Sequence, residues 1–289
     1  MEFLRPVSLG EALEMKAARP EAVPIAGGTD VMVELNFDHR RPAALLDLTR
    51  VAELAEWSRD DSVVTFGAAL PYTRLINELG TDLPGLAIAS RTVGSPQIRN
   101  RGTVGGNLGA ASPAGDTHPV LLASDAVVEV ASARGTRSIP ASEFYLGVKR
   151  NALEPDELIT SIRLPKATGP QQFAKVGTRN AMVIAVCSFA ISLHPNESRA
   201  GAAIGSAAPT PRRVRQAEDF LTEVLDWESP QALPDSAKRR FGELVASAAE
   251  PIDDVRGSAA YRKHALAVLA RRALGWAWDA YREGERSCA

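Results

Sequence analysis

Only two cysteines, Cys187 and Cys288, occur in 289 residues. With no C-x-x-C anywhere, they cannot ligate an iron–sulfur cluster, and they argue against a disulfide framework. Cys187 lies in the apolar run Val183 to Leu193 and reads as a small buried hydrophobe, whereas Cys288 sits in a polar tail. The four histidines, His39, His118, His194 and His264, lack the spacing of metal ligands, so no bound metal is expected. No apolar run approaches the roughly 20 residues that span a bilayer. The start MEFLRPVSLGEAL shows no signal-peptide core, so a cytoplasmic chain with no membrane insertion is expected. Neither sign of charge dominates: 33 Lys+Arg face 35 Asp+Glu, leaving no basic footprint for nucleic acid. Both G-x-G-x-x-G and G-x-x-x-x-G-K-S/T are missing, as are internal repeats, a Ser-His-Asp triad and paired carboxylates. No catalytic side chain is therefore assigned.

What the chain does have is glycine in two places. The stretch Arg99 to Asp116, RNRGTVGGNLGAASPAGD, holds Gly102, Gly105, Gly106 and Gly109 among small polar residues, without apolar periodicity. Glycine lets a ligand approach the main chain, and successive N–H groups then converge on an anionic oxygen. An ordinary glycine-rich turn would look similar. About 75 residues earlier, Val23 to Ile25 reads as a short strand that enters the turn Ala26-Gly27-Gly28-Thr29-Asp30, followed by apolar Val31 to Leu35. Strand, glycines and helix start are the pattern of a phosphate site. Thr29 either caps that helix or offers its hydroxyl to a phosphate. Two such bends suit the diphosphate of a dinucleotide.

Together, AGGTD and RNRGTVGGNLGAASPAGD closely resemble the FAD-binding medium subunit of the molybdenum hydroxylases, the family of xanthine dehydrogenase and carbon monoxide dehydrogenase. The resemblance runs over almost the whole chain and implies FAD as cofactor. It implies that Ile25, Ala26, Gly27, Gly28, Thr29, Asp30 and Val31, with Thr103, Val104, Gly105, Gly106 and Asn107, hold the diphosphate. It places Asp116 on the ribityl chain and Lys175 near the isoalloxazine, and it adds Val93 and Ile159. On the residues alone, Asp116 also suits an Asx turn and Lys175 a solvated surface. The resemblance further implies a small iron–sulfur subunit with [2Fe-2S] clusters and a large subunit with the molybdopterin cofactor, joined as a dimer of heterotrimers. Electrons would pass from those clusters through FAD to NAD⁺ or another acceptor.

The pattern along the chain predicts an α+β protein. The resemblance implies that residues 1–168 are a PCMH-type FAD-binding domain of two α/β subdomains, about 1–55 and 56–168. A C-terminal domain over 173–285 would hold a three-stranded antiparallel sheet with helices. Ser8-Leu9-Gly10-Glu11 is a capping-box pattern that opens a helix. Strands are expected at Ala44–Leu48, Ser62–Ala68, Ala126–Ala131, Thr136–Ile139, Leu158–Leu164, Phe173–Val176, Val183–Leu193 and Arg199–Ser206. Helices are expected at Tyr72–Leu79 and Pro84–Thr92, and over most of the chain beyond Val214. Lys166 to Gln172 reads as a linker. Trp276 and Trp278 are assigned to packing.

Within that resemblance, Thr29-Asp30 stands where carbon monoxide dehydrogenases tend to show His-Ser or Gln-Ser, which leans toward xanthine, purine or aldehyde oxidation. Medium subunits of carbon monoxide dehydrogenase or N-heterocycle hydroxylases, a stand-alone flavin oxidase and a non-catalytic nucleotide sensor stay as other readings.

Overall fold

The computed structural model describes residues 1–287. The polar-tail Cys288 lies outside them. Two compact units are interleaved in sequence: Met1–Glu78, Gly94–Ser112 and Ala126–Pro165 form the first, and Leu79–Val93, Pro113–Asp125 and Lys166–Ala289 the second. Among the described residues no helix is long and apolar enough to cross a membrane.

The first unit begins with a parallel three-stranded sheet, in which Ala44–Asp47 lies between Glu2–Leu4 and Val23–Ile25. Ser8 caps the helix Leu9–Ala18, its hydroxyl accepting from the Glu11 amide at 3.2 Å, while Glu11 reaches back to the Val7 amide at 2.8 Å. Ser8 thus caps as read from sequence, while Glu11 takes the amide of Val7 rather than that of the cap residue itself. It buries Ala12 in a core with Ala44, Leu46, Leu54 and Leu158.

A five-stranded antiparallel sheet follows, in the order Trp57–Arg59, Val63–Gly67, Leu158–Pro165, Val127–Ser132 and Gly135–Pro140. Leu158–Pro165 is central although last in the chain, and its register slips between Ile159 and Ser161. Trp57–Arg59 was not expected; a three-residue edge strand is too short to show alternation.

In the second unit, Gln171–Val176, Cys187–His194, Arg199–Gly205 and the two-residue strand Arg212–Arg213 form one antiparallel sheet. The fourth strand adds to the three expected. Cys187–His194 is buried at every position, because both faces of the sheet are covered. Phe189, Ile191, Ala202 and Ile204 pack with Phe241, Leu266, Leu274 and Trp278 of the helices Asp235–Ser247 and Ala259–Ser287. On the opposite face, a β-carbon on Gly201 would stand 2.0 Å from the Ala123 carbonyl oxygen, at the end of the helix His118–Ala123. A strand buried on both sides reads as a continuous apolar run, which is why Val183–Leu193 shows no alternation. Its first four residues nevertheless lie before the strand.

The linker expectation also gives way at its end. Gln171 is buried in the first strand of this sheet, where its oxygen accepts from the Gly85 amide at 3.0 Å and its nitrogen donates to Ser192 Oγ at 3.0 Å. Trp278 is buried and donates to the Gln231 carbonyl, whereas Trp276 is half exposed and is not core.

Candidate functional site

The first glycine bend grows out of the parallel sheet. Val23–Ile25 ends where Ile25 pairs with Asp47, and the chain turns at Gly28, whose φ of +75° is left-handed and disfavours any side chain. The helix Val31–Asn36 starts directly afterwards, with the Met32 amide bonded to the Gly28 carbonyl at 3.0 Å. Asp30 occupies the cap position and makes no side-chain cap bond. Thr29 is therefore not the helix cap; its hydroxyl lies toward Gly102, 3.3 Å from where a β-carbon there would stand.

The second bend is more ordered than a glycine loop. The Gly102 amide bonds the Ile98 carbonyl at 2.7 Å, while the Gly102 carbonyl accepts from the Tyr72 amide at 3.0 Å. Thr103, extended at φ −134° and ψ 158°, accepts from the Gly106 amide at 2.8 Å and so caps a helix over Val104–Ala110. A segment this rich in glycine carries little apolar period, so its sequence gives no helical signal. Its first turn leaves the amides of Val104 and Gly105 without an intrahelical acceptor.

The glycines of this helix divide into two kinds. A β-carbon on Gly105 would stand 2.4 Å from the Ala68 carbonyl oxygen, so Gly105 is a packing residue. A β-carbon on Gly106 would meet only Thr103 Oγ1, at 3.1 Å, and one on Gly109 would meet nothing within 4 Å. Gly105 seats the helix, and Gly106 and Gly109 leave an open face.

The two bends meet within the first unit. A β-carbon on Gly27 would stand 1.8 Å from the Arg101 carbonyl oxygen and 2.9 Å from the Gly102 nitrogen. Backbone lies on backbone, a few residues before each helix begins. Ile159 sits in the strand Leu158–Pro165, against which the helix Val104–Ala110 packs.

In the second unit, Lys175 Nζ donates to Asp116 Oδ2 at 2.6 Å, to the Thr92 carbonyl at 3.0 Å and to the Val183 carbonyl at 3.1 Å. The Thr92 hydroxyl lies 3.2 Å from the same Asp116 oxygen and 2.7 Å from the Ala89 carbonyl. The other oxygen, Asp116 Oδ1, is buried and has no hydrogen-bond partner among the described residues. Burial pushes the Asp116 carboxyl above its ordinary range, and Lys175 and then Thr92 oppose that shift. Val93 follows Thr92 and is partly buried. Thr92 escaped the sequence reading, since a threonine at a helix end gives no sign that a carboxylate 24 residues later will face it.

A buried carboxylate oxygen without a donor fits a ligand that brings hydroxyls. A helix start with an open face at Gly106 and Gly109, next to a second glycine bend, fits a diphosphate. The residues present thus fit FAD.

Comparison with known proteins agrees. Residues 1–167 match the family described as the FAD binding domain in molybdopterin dehydrogenase, and residues 172–277 match the CO dehydrogenase flavoprotein C-terminal domain. The chain is 29% identical over 279 residues to the nicotine 6-hydroxylase medium subunit of Paenarthrobacter nicotinovorans, covering 95% of this chain and 96% of that one. It is 30% identical over 283 residues to the xanthine dehydrogenase FAD-binding subunit of Escherichia coli O157:H7, covering 94% of each. A chain of the solved carbon monoxide dehydrogenase of Hydrogenophaga pseudoflava, in a form lacking the Mo-pyranopterin moiety, superposes with a TM-score of 0.87 at 28% identity, covering 96% of this chain and 97% of that one.

Fold and site define a flavoprotein oxidoreductase subunit of α+β architecture. The chain belongs to the FAD-binding medium subunits of the molybdenum hydroxylase family.

Proposed function

We propose that this chain carries one FAD as an electron relay within a molybdenum hydroxylase. In this reading the segments Ile25 to Val31 and Thr103 to Asn107 hold the diphosphate, the second through the first-turn amides of Val104 and Gly105, since those of Gly106 and Asn107 are bonded to Thr103. Asp116 Oδ1 accepts from a ribityl hydroxyl, and Lys175, Val93 and Ile159 complete the site. The observation that carries the reading is the approach of Gly27 to Arg101, which brings the two glycine bends into backbone contact.

FAD, when bound, supplies stepwise exchange of one or two electrons. The work of the chain is then to bind and orient it. We assign the supply of electrons to [2Fe-2S] clusters of a small subunit, and substrate oxidation to the molybdopterin cofactor of a large subunit. The assembly would be a dimer of heterotrimers with NAD⁺ as acceptor. The names of the relatives, medium and FAD-binding subunits, support a multisubunit setting. Thr29-Asp30 supports a xanthine, purine or aldehyde substrate, while the similarity to a nicotine 6-hydroxylase subunit supports N-heterocycle hydroxylation as the second reading.

The test is reconstitution of the purified full chain with FAD. A yellow protein with one flavin per chain, inert toward substrate without partners, is the expected result. A chain that binds no FAD, or that turns over a small alcohol by itself, overturns the proposal.

A further inference from the structure

Lys175 has three N–H donors, and all three are used inside the protein: on Asp116 Oδ2, the Thr92 carbonyl and the Val183 carbonyl. An ammonium group has no others, so none is left for a flavin. Its ion pair with Asp116 is nearly dry, with side-chain exposures of 10% and 9%. The contacts from Lys175 and Thr92 to Asp116 both fall on a single oxygen, and Oδ1 stays without a donor.

We propose that Lys175 is a positioning residue that acts on the cofactor through Asp116, holding one carboxylate oxygen so that the other faces the ribityl hydroxyls. The inference rests on the FAD reading above and sharpens it: the lysine named beside the isoalloxazine contributes no hydrogen bond of its own. Removing the ammonium would leave a buried carboxylate without its counter-ion and oriented by Thr92 alone, a costly arrangement. Thr92 supports the same oxygen more weakly, because its single hydroxyl proton is contested by the Ala89 carbonyl at 2.7 Å. The Lys175 bond to the Thr92 carbonyl ties the end of the helix Pro84–Arg91 into the arrangement.

A double-mutant cycle on the full chain tests the proposal, comparing the parent with Lys175→Met, Asp116→Asn and the double variant. Each is stripped of flavin and titrated with FAD by fluorescence, and each holoprotein is titrated for its flavin potential. Lys175→Met is expected to weaken FAD about tenfold in the parent and by less than about twofold in the Asp116→Asn background, as expected of partners within one network. The single variants should move the potential in opposite directions, and the double should lie between them, because each single leaves one uncompensated charge. An equal loss of affinity in both backgrounds, or shifts of potential in the same direction, overturns the inference. If Lys175→Met does not melt cooperatively, Lys175→Gln takes its place in the cycle under the same criteria. A parent chain that binds no FAD overturns the underlying reading as well, a result distinct from equal losses in a chain that does bind it.

Discussion

The carbonyl oxygen of Arg101 occupies the place where a side chain on Gly27 would begin, 1.8 Å from the position of its β-carbon. Two segments about 75 residues apart thus share one backbone contact that only glycine permits. The neighbouring atoms are main chain and cannot swing aside. Gly27→Ala should part the bends, lowering stability by about 1–3 kcal/mol and FAD occupancy together. Thermal melting and the flavin-to-protein absorbance ratio check this, and retention of both would refute the shared contact.

Gly105 and Gly106 are neighbours with opposite expectations. Alanine at 105 would press on the Ala68 carbonyl oxygen at 2.4 Å, whereas alanine at 106 would meet only the Thr103 hydroxyl at 3.1 Å. Gly105→Ala should lower the melting temperature by several degrees, taking about 2–4 °C per kcal/mol for a domain of this size. Gly106→Ala should leave melting within about 2 °C, helped by the better helix propensity of alanine, while weakening FAD by about tenfold through a methyl on the open face. Equal melting temperatures for the two variants would contradict the division.

Acid should destabilise the protein before its carboxylates titrate. His118 is fully buried, and loss of hydration holds its pKa down to about 3. Burial, with Arg199 next in weight, also lowers His194. The folded state keeps these imidazoles neutral while the unfolded chain protonates near pH 6.5, so stability is present above that value and falls as pH drops toward the folded pKa. His118 alone should cost about 2 kcal/mol between about pH 8 and pH 5, at about 1.4 kcal/mol per unit below its unfolded value. Urea denaturation across that range measures it. His118→Phe should flatten the slope, and an unchanged slope would exclude His118 as its source.

Much of the fold was legible because its signals are local. The Ser8 capping box, the strand before Gly27-Gly28 and the strands Val127–Ser132 and Leu158–Pro165 follow from residues within a few positions of one another. Where the reading failed, the deciding partner lay far off in sequence or in a cap that pattern does not weigh. Val104–Ala110 is a helix because Thr103 caps it and Gly105 rests on Ala68. Thr29 faces Gly102 and does not cap the helix. The strand Arg212–Arg213 is held by pairing with Ala203 and Ile204, which its own two residues do not announce.

The sequence by itself determined the chemistry on offer: two glycine-rich bends, one aspartate and one lysine, and too few thiols or spaced histidines to hold a metal cluster. Residue type and spacing suffice for that, since a missing β-carbon or a carboxyl group is present before folding. Only the tertiary structure decided which glycine packs and which stays open, and that Lys175 spends every donor on Asp116 and two carbonyls. Those outcomes depend on distances of about 2–3 Å between segments remote in the chain, which packing sets and local pattern does not contain.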